Sequence, residues 1–213
     1  MGLCRRVADI YLAPLLKEAP KEESPISTSV TLSPLELEAL AGNYRGTKFG
    51  MWLSLSVKEN ALVLGEAGGG LTAVPLSPTR FQAMAGTTPI VVEFLPEEKG
   101  KPRRVKLSYG TEEADEFTQA PPVRPLTPAG LTEYVGDYES AELLGAVYHL
   151  VADKGNLIVK FRSASRSPLK LMAPDQFTLE GVSLDFVRDR TGAITGAKLS
   201  TGRAAGIVFA KVK

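Results

Sequence analysis

The chain has 213 residues, of which 44% are hydrophobic and 23% charged, and its formal net charge is +1. This balance argues against a broad electrostatic surface for nucleic acid or anionic membrane. No apolar run approaches the roughly 18 residues that a membrane helix needs. The single cysteine, Cys4, excludes an internal disulfide framework and a multi-thiolate metal site. We therefore expect no nucleic-acid partner, no membrane insertion and no cofactor or metal.

Residues 1–18 predict a short amphipathic helix, and residues 19–31 a polar linker. Pro14 should end or kink this helix, whose apolar residues are Val7, Ile10, Tyr11, Leu15 and Leu16. The segment lacks the apolar stretch of a signal peptide, so we expect no export signal here. A helix this short is marginal in water. Its apolar stripe must pack on a barrel, on another copy or on a further domain.

The rest of the chain is one unit built twice. Residues 32–44 (LSPLELEALAGNY) recur at 126–138 (LTPAGLTEYVGDY), each position 94 residues later (126 against 32, 138 against 44). Near the end of each unit, VEFL at 92–95 is matched by LDFV at 184–187, a shift of 92 (184 against 92). Such self-similarity indicates a repeated structural unit. It predicts one domain at 32–120 and a second at 121–213.

Both units open with a helix-start pattern. Ser33 and Thr127 are capping residues, and each is followed by proline, which favours the first helical position. We expect one helical turn at residues 37–40 and another at 131–134, each ahead of the first strand of its unit.

A Gly-x-Tyr element follows each turn and is expected to be structural. Gly42 and Gly136 permit a bend or a close backbone approach. Tyr44 and Tyr138 then place a large ring in the core, while the hydroxyl finds a partner at the rim.

Short strands separated by turns at 8–12-residue spacing fill the rest of each unit, a pattern typical of a β-barrel or sandwich. In the first unit they cover 52–57, 61–64, 71–76, 80–84, 90–95, 103–109 and the segment around Phe117. In the second they cover 148–151, 157–160, 168–172, 176–179, 182–188, 194–199 and the segment around Phe209. About eight strands suffice to close a small antiparallel barrel. Leu, Val, Phe and Tyr dominate the inward positions, so we expect filled cores.

The second unit resembles a known module. Its opening motif, the Gly-Asn-Leu hairpin at 155–157, Asp175-Gln176-Phe177 and the turn DRTGAITG at 189–196 are similar to the lipocalin-like C-terminal domain of certain serine hydrolases. These hydrolases belong to the penicillin-binding and class C β-lactamase-like superfamily. Residues 32–118 fit the pattern more loosely. RRVADIYL at 5–12 also resembles the last helix of such a hydrolase domain.

The resemblance implies an all-β fold of two tandem lipocalin-like barrels, and a non-catalytic accessory role. The chain would pack on a hydrolase domain, in cis or in trans, and limit access to its active site or mediate self-association. It also implies a periplasmic or extracellular location, which no residue pattern here shows independently. The alternative is a stand-alone module that binds a small apolar or peptidic ligand in a barrel mouth, with Trp52 and Tyr148 at the rim.

We expect no catalytic residues. Ser167 and Lys170 spell the Ser-x-x-Lys of the hydrolase family, but they fall in a predicted strand. Side chains three residues apart on a strand point to opposite faces, so the lysine could not take the serine proton. An independent esterase or peptidase has only this pair to support it.

Four further features are interpreted as structural or solvated. His149 is the only histidine and lies on a predicted strand. The acidic residues 112–116 lack calcium-loop spacing, and the basic residues 99–104 have flanking acids and no interleaved aromatics. Gly68-Gly69-Gly70 lacks the Lys-Ser/Thr of a phosphate loop.

Overall fold

The computed structural model describes residues 30–48, 50–65, 70–161, 164–202 and 204–213, with the backbone alone at 164–167. The predicted helix at 1–18, the linker up to residue 29, and Cys4 lie outside the described residues. Gly68 and Gly69 also lie outside them.

The first repeat folds into a closed antiparallel barrel of eight strands. Each strand pairs with the next along the chain, and β1 closes the sheet on β8, with Tyr44 opposite Gln119. The strands are β1 (Gly42–Gly46), β2 (Trp52–Lys58), β3 (Ala61–Leu64), β4 (Leu71–Ser77), β5 (Arg80–Ala85), β6 (Thr88–Phe94), β7 (Arg104–Tyr109) and β8 (Asp115–Gln119). We call this barrel 1.

The second repeat forms a second closed barrel with the same order, barrel 2. Its first strand pairs with both the second and the last. The strands are β9 (Gly136–Ser140), β10 (Ala146–Asp153), β11 (Asn156–Phe161), β12 (Ala164–Ala173), β13 (Gln176–Leu179), β14 (Val182–Arg188), β15 (Ile194–Ser200) and β16 (Ile207–Lys211). The predicted fold class, two tandem eight-stranded antiparallel barrels, is therefore confirmed.

Tight turns set the strand register. Glu59-Asn60, Lys154-Gly155 and Glu180-Gly181 each have positive φ at both residues, between 47° and 80°. This geometry is typical of type I′ turns, whose twist matches that of the flanking strands. In barrel 2 the connections that follow β10, β12 and β14 lie at one end, and those that follow β9, β13 and β15 lie at the other. We call these the closed end and the open end.

A short helix precedes each barrel: α1 (Pro34–Leu40) and α2 (Pro128–Thr132). Both begin earlier than the predicted 37–40 and 131–134, because each helix starts at the proline that follows its cap. The Ser33 hydroxyl accepts a hydrogen bond from the Glu36 N–H at 3.3 Å, and the Thr127 hydroxyl accepts one from Gly130 N–H at 3.1 Å. Neither helix, and no other within the described residues, could span a bilayer.

Each barrel has its own hydrophobic core, and the core of barrel 1 shares no residue with that of barrel 2. Tyr44 and Tyr138 are both buried in these cores. Their hydroxyls donate to the carbonyl oxygens of Leu40 and Tyr134, at 2.7 and 2.9 Å. Each tyrosine thereby joins the first strand of its barrel to the chain four residues earlier.

The barrels meet along a polar contact surface, which we call the seam. Barrel 1 contributes residues of β1 and β2 and Gly50, which precedes β2. Barrel 2 contributes residues of β12 and β14. The hydrogen bonds that cross the seam between described residues include Asn43 Nδ2 to Met172 O (3.0 Å), Arg45 Nη2 to Asp185 Oδ2 (2.6 Å), Lys170 Nζ to Ser54 Oγ (3.3 Å) and Ser183 Oγ to Gly50 O (3.0 Å).

Candidate functional site

A cavity of about 370 Å³ lies inside barrel 2, in the half near the open end. Inward side chains from six strands form its wall. The apolar lining residues are Tyr148, Val159, Phe161, Leu169, Leu179, Val182, Leu184 and Leu199, and the polar ones are Glu180 and Thr201. The two polar residues occur where β13 and β15 end, so the polar part of the lining is at the mouth.

The half of barrel 2 near its closed end is filled by the rings of Tyr134, Phe177 and Phe186. Tyr134 packs edge-to-face on Phe177 and Phe186, with ring centroids 5.0 and 4.8 Å apart. Phe177 and Phe186 contact each other at 5.4 Å. Toward the open end most inward positions are aliphatic, and these side chains leave the barrel axis empty. The expectation of filled cores is therefore wrong for this half of barrel 2.

Aromatic packing also shapes one side of the cavity. The Tyr148 ring stacks on Phe209, with centroids 4.9 Å apart and planes 22° apart. Phe161 meets the Tyr148 ring edge-to-face at 4.9 Å. Rings held by neighbouring rings form a preorganised wall, which lowers the entropy cost of binding an apolar guest.

A charged network closes the opposite end of barrel 2. The Arg188 guanidinium donates through Nε and Nη2 to the Asp175 carboxylate at 2.8 to 3.0 Å, and through Nη1 to Glu133 at 2.8 Å. The Tyr134 hydroxyl donates to the same Asp175 carboxylate at 2.7 Å. Because Glu133 and Tyr134 directly follow α2, this network fastens the helix to the barrel.

The pKa shifts in this network fit a structural role. The hydrogen bonds from Arg188 hold the pKa of Asp175 below its usual value. Burial, together with the hydrogen bond to Asp175, raises the pKa of Tyr134 to about 12. Burial also raises the pKa of Tyr138. Both tyrosines are thus protonated at neutral pH and act as hydrogen-bond donors.

Barrel 1 closes its equivalent end with different residues. Arg103 bonds the carbonyl oxygen of Ala39 in α1 and pairs with Glu97. Burial raises the pKa of Tyr44, and the nearby Arg103 opposes the shift. An arginine near the helix end is therefore common to both barrels, although it comes from a different position in each repeat.

The two residues suggested as a ligand rim occupy different places. Tyr148 lines the cavity of barrel 2. Trp52 is not among the residues that line it. The indole lies on the outer face of β2, where the Arg45 guanidinium sits 4.8 Å from the ring centroid. The strand register explains the difference. Leu53 pairs with Tyr44 in barrel 1, as Tyr148 pairs with Tyr138 in barrel 2. The counterpart of Tyr148 is therefore Leu53, and Trp52 is its neighbour on the opposite face of the strand.

Of the pair considered for catalysis, the structure describes the side chain of Lys170 but only the backbone of Ser167. The Ser167–Lys170 stretch lies in β12, and the lysine Nζ is 3.3 Å from the Ser54 hydroxyl. His149 Nδ1 is 2.7 Å from Asp137 Oδ1 on the half-exposed outer face of β9 and β10.

The charged clusters form ion pairs at the surface. In the basic turn Lys101 pairs with Glu98, and Arg104 pairs with both Glu98 and Glu116. Glu113 of the acidic group pairs with Lys48 at 3.3 Å. In the part of the chain that the structure describes, no three His, Cys, Asp or Glu side chains form a group able to hold a metal ion.

Sequence reasoning missed the seam. Asp185 and Glu93 occupy the same place in the two repeats (185 against 93, a shift of 92), yet Asp185 pairs with Arg45 while Glu93 is exposed. The repeat pattern carries no signal for this difference, because it arises from the packing of one barrel on the other.

Comparison with known proteins adds no family to these observations. No described protein family matches the chain, and no curated protein matches its sequence.

Proposed function

We propose that this chain is a non-catalytic binding protein whose second barrel holds a small, largely apolar molecule. The observation that carries the proposal is the cavity of about 370 Å³ with its predominantly apolar lining. Pockets for small molecules are commonly concave, mostly apolar and of roughly 300 to 1,000 Å³.

The lining also suggests how a ligand is oriented. Glu180 and Thr201 supply the polar groups, and both lie at the open end. A molecule with an apolar body and one polar end would bury the body against Leu169 and Leu184 and leave its polar end near the mouth. Such a pose avoids the cost of burying a polar group without a partner.

The first test uses N-phenyl-1-naphthylamine, an uncharged apolar dye whose emission rises when it leaves water. We expect saturable binding with one dye per chain. Val182 lines the cavity, so Val182→Phe fills space that the dye needs. Overpacking costs about 1 to 3 kcal/mol, so we expect affinity to fall about tenfold or more.

The matched control is Val187→Phe. Val187 lies on the same strand as Val182 but on its outer face, with 39% of its surface exposed, and this variant should bind the dye as the unchanged protein does. Leu179→Phe, at another lining position, guards against a folding defect particular to residue 182. Absence of saturable binding, or equal binding by all four proteins, would refute a ligand site in barrel 2.

The accessory role suggested by the resemblance is a second proposal. Its support is the opening motif at 126–138 and the turn at 189–196, which resemble the lipocalin-like domain of β-lactamase-like serine hydrolases. In this role the double barrel packs on a hydrolase domain, in cis or in trans, and limits access to its active site or mediates self-association.

An immunoblot of source cells with an antibody against residues 126–213 tests this role. A band well above 22.8 kDa supports a hydrolase domain in cis. Co-purification of a protein that a fluorophosphonate probe labels supports one in trans. A native band at 22.8 kDa without such a partner counts against the accessory role.

A further inference from the structure

The part of the seam that belongs to barrel 2 is the outer surface of the cavity wall. Lys170, which contacts Ser54, directly follows the lining residue Leu169. Ser183, which bonds Gly50, lies between the lining residues Val182 and Leu184. Successive side chains on a strand point to opposite faces. The cavity and barrel 1 therefore contact the two faces of the same strands, β12 and β14.

The shortest of the named hydrogen bonds across the seam belongs to an ion pair. Arg45 Nη2 lies 2.6 Å from Asp185 Oδ2, and the two side chains are 22% and 27% exposed. Asp185 directly follows Leu184, a cavity residue. The Arg45 guanidinium also stacks over Trp52, which fixes the direction from which it reaches β14.

This ion pair contributes more to geometry than to stability. Arg45 Nη1 and Asp185 Oδ1 are buried and have no hydrogen-bond partner among the described residues. Burial raises the pKa of Asp185, although the Arg45 charge opposes the shift. Incompletely bonded, desolvated ion pairs add little net stability, but they do constrain the relative position of the groups they join.

The hydroxyl of Ser183 restrains the same stretch of β14. It is buried and donates to the Gly50 carbonyl oxygen at 3.0 Å. Ser183 and Asp185 thus hold β14 from outside on both sides of Leu184. Shifting β14 inward or outward requires both contacts to change.

From these contacts we infer that barrel 1 positions the ligand-binding wall of barrel 2, with Arg45 as a positioning residue for the cavity. Ligand binding in the cavity and the geometry of the seam are then coupled. A ligand that requires the observed position of β14 binds more weakly when the contacts of Arg45 or Ser183 across the seam are removed. This inference rests on the proposed function of barrel 2 and adds to it a role for barrel 1.

The first measurement is the affinity of N-phenyl-1-naphthylamine for variants of the seam. Arg45→Met keeps the apolar stem and removes the charge, and Asp185→Asn removes the partner charge with almost no change of shape. Coupling energies between sites are commonly about 1 to 3 kcal/mol, so we expect each variant to bind the dye about fivefold more weakly or worse. Arg45→Lys, which retains a cation, should recover part of the loss.

The matched control is Arg104→Met. Arg104 is also in barrel 1 and also forms a half-exposed ion pair, 3.0 Å from Glu116, but both residues belong to barrel 1. This variant should bind the dye with unchanged affinity. The free energy of unfolding of each variant, measured in urea, separates a general loss of stability from an effect on the cavity.

The second measurement follows Trp52. It is the only tryptophan, so its indole N–H produces a single cross-peak in a ¹H–¹⁵N spectrum. Trp52 does not line the cavity, yet we expect the dye to shift this peak through Arg45 and β14. The shift should be absent in Val182→Phe and present in Val187→Phe.

The outcomes separate the two proposals. If the unchanged protein does not bind the dye, the ligand site is refuted, and the inference with it. If the dye binds and Arg45→Met and Asp185→Asn bind it with unchanged affinity, the ligand site stands and the coupling is wrong. Weaker binding by these variants but not by Arg104→Met, together with a ligand-dependent Trp52 shift, supports the coupling.

Discussion

At the scale of single residues, the two repeats place the same glycine in different surroundings. Gly42 and Gly136 have φ values of +145° and +150°, a region that side chains disfavour. A Cβ on Gly42 would meet the flexible Gln119 amide at 3.0 Å, whereas a Cβ on Gly136 would overlap the backbone carbonyl oxygen of Lys213. Gln119 can move aside, but the Lys213 carbonyl accepts a hydrogen bond from Asp137 N–H at 2.9 Å and is held in place.

We therefore expect Gly136→Ala to destabilise the protein more than Gly42→Ala. Backbone strain alone costs about 1 to 3 kcal/mol, and Gly136→Ala adds a steric overlap to it. Urea unfolding followed by circular dichroism measures both losses. Gly155→Ala is the control for strain, since φ is +79° there and no atom lies within 4 Å of the added Cβ. Equal losses at 42 and 136 would contradict the prediction.

At the scale of secondary-structure elements, one arginine holds α2 against barrel 2. Arg188 of β14 joins Asp175, in the β12–β13 turn, to Glu133 at the end of α2. Its guanidinium also lies 5.6 Å from the centre of the Tyr134 ring. A helix of five residues has little stability of its own, so these contacts keep α2 over the closed end.

Asp175 should make the stability of barrel 2 sensitive to acid. Because Arg188 lowers the folded-state pKa of Asp175, the stabilisation is complete above the unfolded-state pKa of about 4. As pH falls below that value, the unfolded state takes up the proton first, so stability declines until the folded-state pKa is passed. Asp175→Asn should cost about 2 kcal/mol at pH 7, as expected for charged hydrogen bonds.

The same variant should lose less stability than the unchanged protein between pH 5 and pH 3, a range that brackets the unfolded-state pKa of about 4. Urea unfolding at both pH values gives the four free energies needed. Asp153→Asn is the control, because Asp153 is exposed at the same end of the barrel; its stability at pH 7 should stay within about 0.5 kcal/mol of the unchanged protein. An unaltered acid dependence in Asp175→Asn would argue against the role of this carboxylate.

At the scale of the whole molecule, two barrels with separate cores are joined by a polar seam. Each sheet closes on itself, so no strand pairing is shared between them. The hydrogen bonds across the seam come from side chains, as in the contacts between domains that unfold separately. We expect differential scanning calorimetry to resolve two transitions. Gly136→Ala should lower the midpoint temperature of one transition and leave the other unchanged. A single transition whose midpoint falls in this variant would show that the barrels unfold together.

Much of the fold could be predicted from local pattern. The alternation in β2 (Trp52–Lys58) and the matching turn at Glu59-Asn60 need only neighbouring residues to be recognised. The repeated opening motif then predicts the second barrel from the first. Tyr148 could be suggested as a rim residue from local pattern as well, because its strand is recognisable in the sequence.

The cavity and the seam could not be predicted in the same way. Whether inward Leu and Val side chains meet at the barrel axis depends on strand tilt and on where the rings of Phe177 and Phe186 pack. Arg45 and Asp185 are 140 residues apart in sequence, and each looks like an ordinary outer-face residue of its own strand.

The amino-acid sequence by itself determined that this chain builds one all-β unit twice, because alternation, turn residues and the repeated motif are local properties that each repeat carries in full. Only the tertiary structure decided that barrel 2 keeps an empty, apolar half and that barrel 1 contacts the outside of its wall. Both depend on packing between residues distant in sequence, and the distances that govern such packing exist only once both sheets have closed.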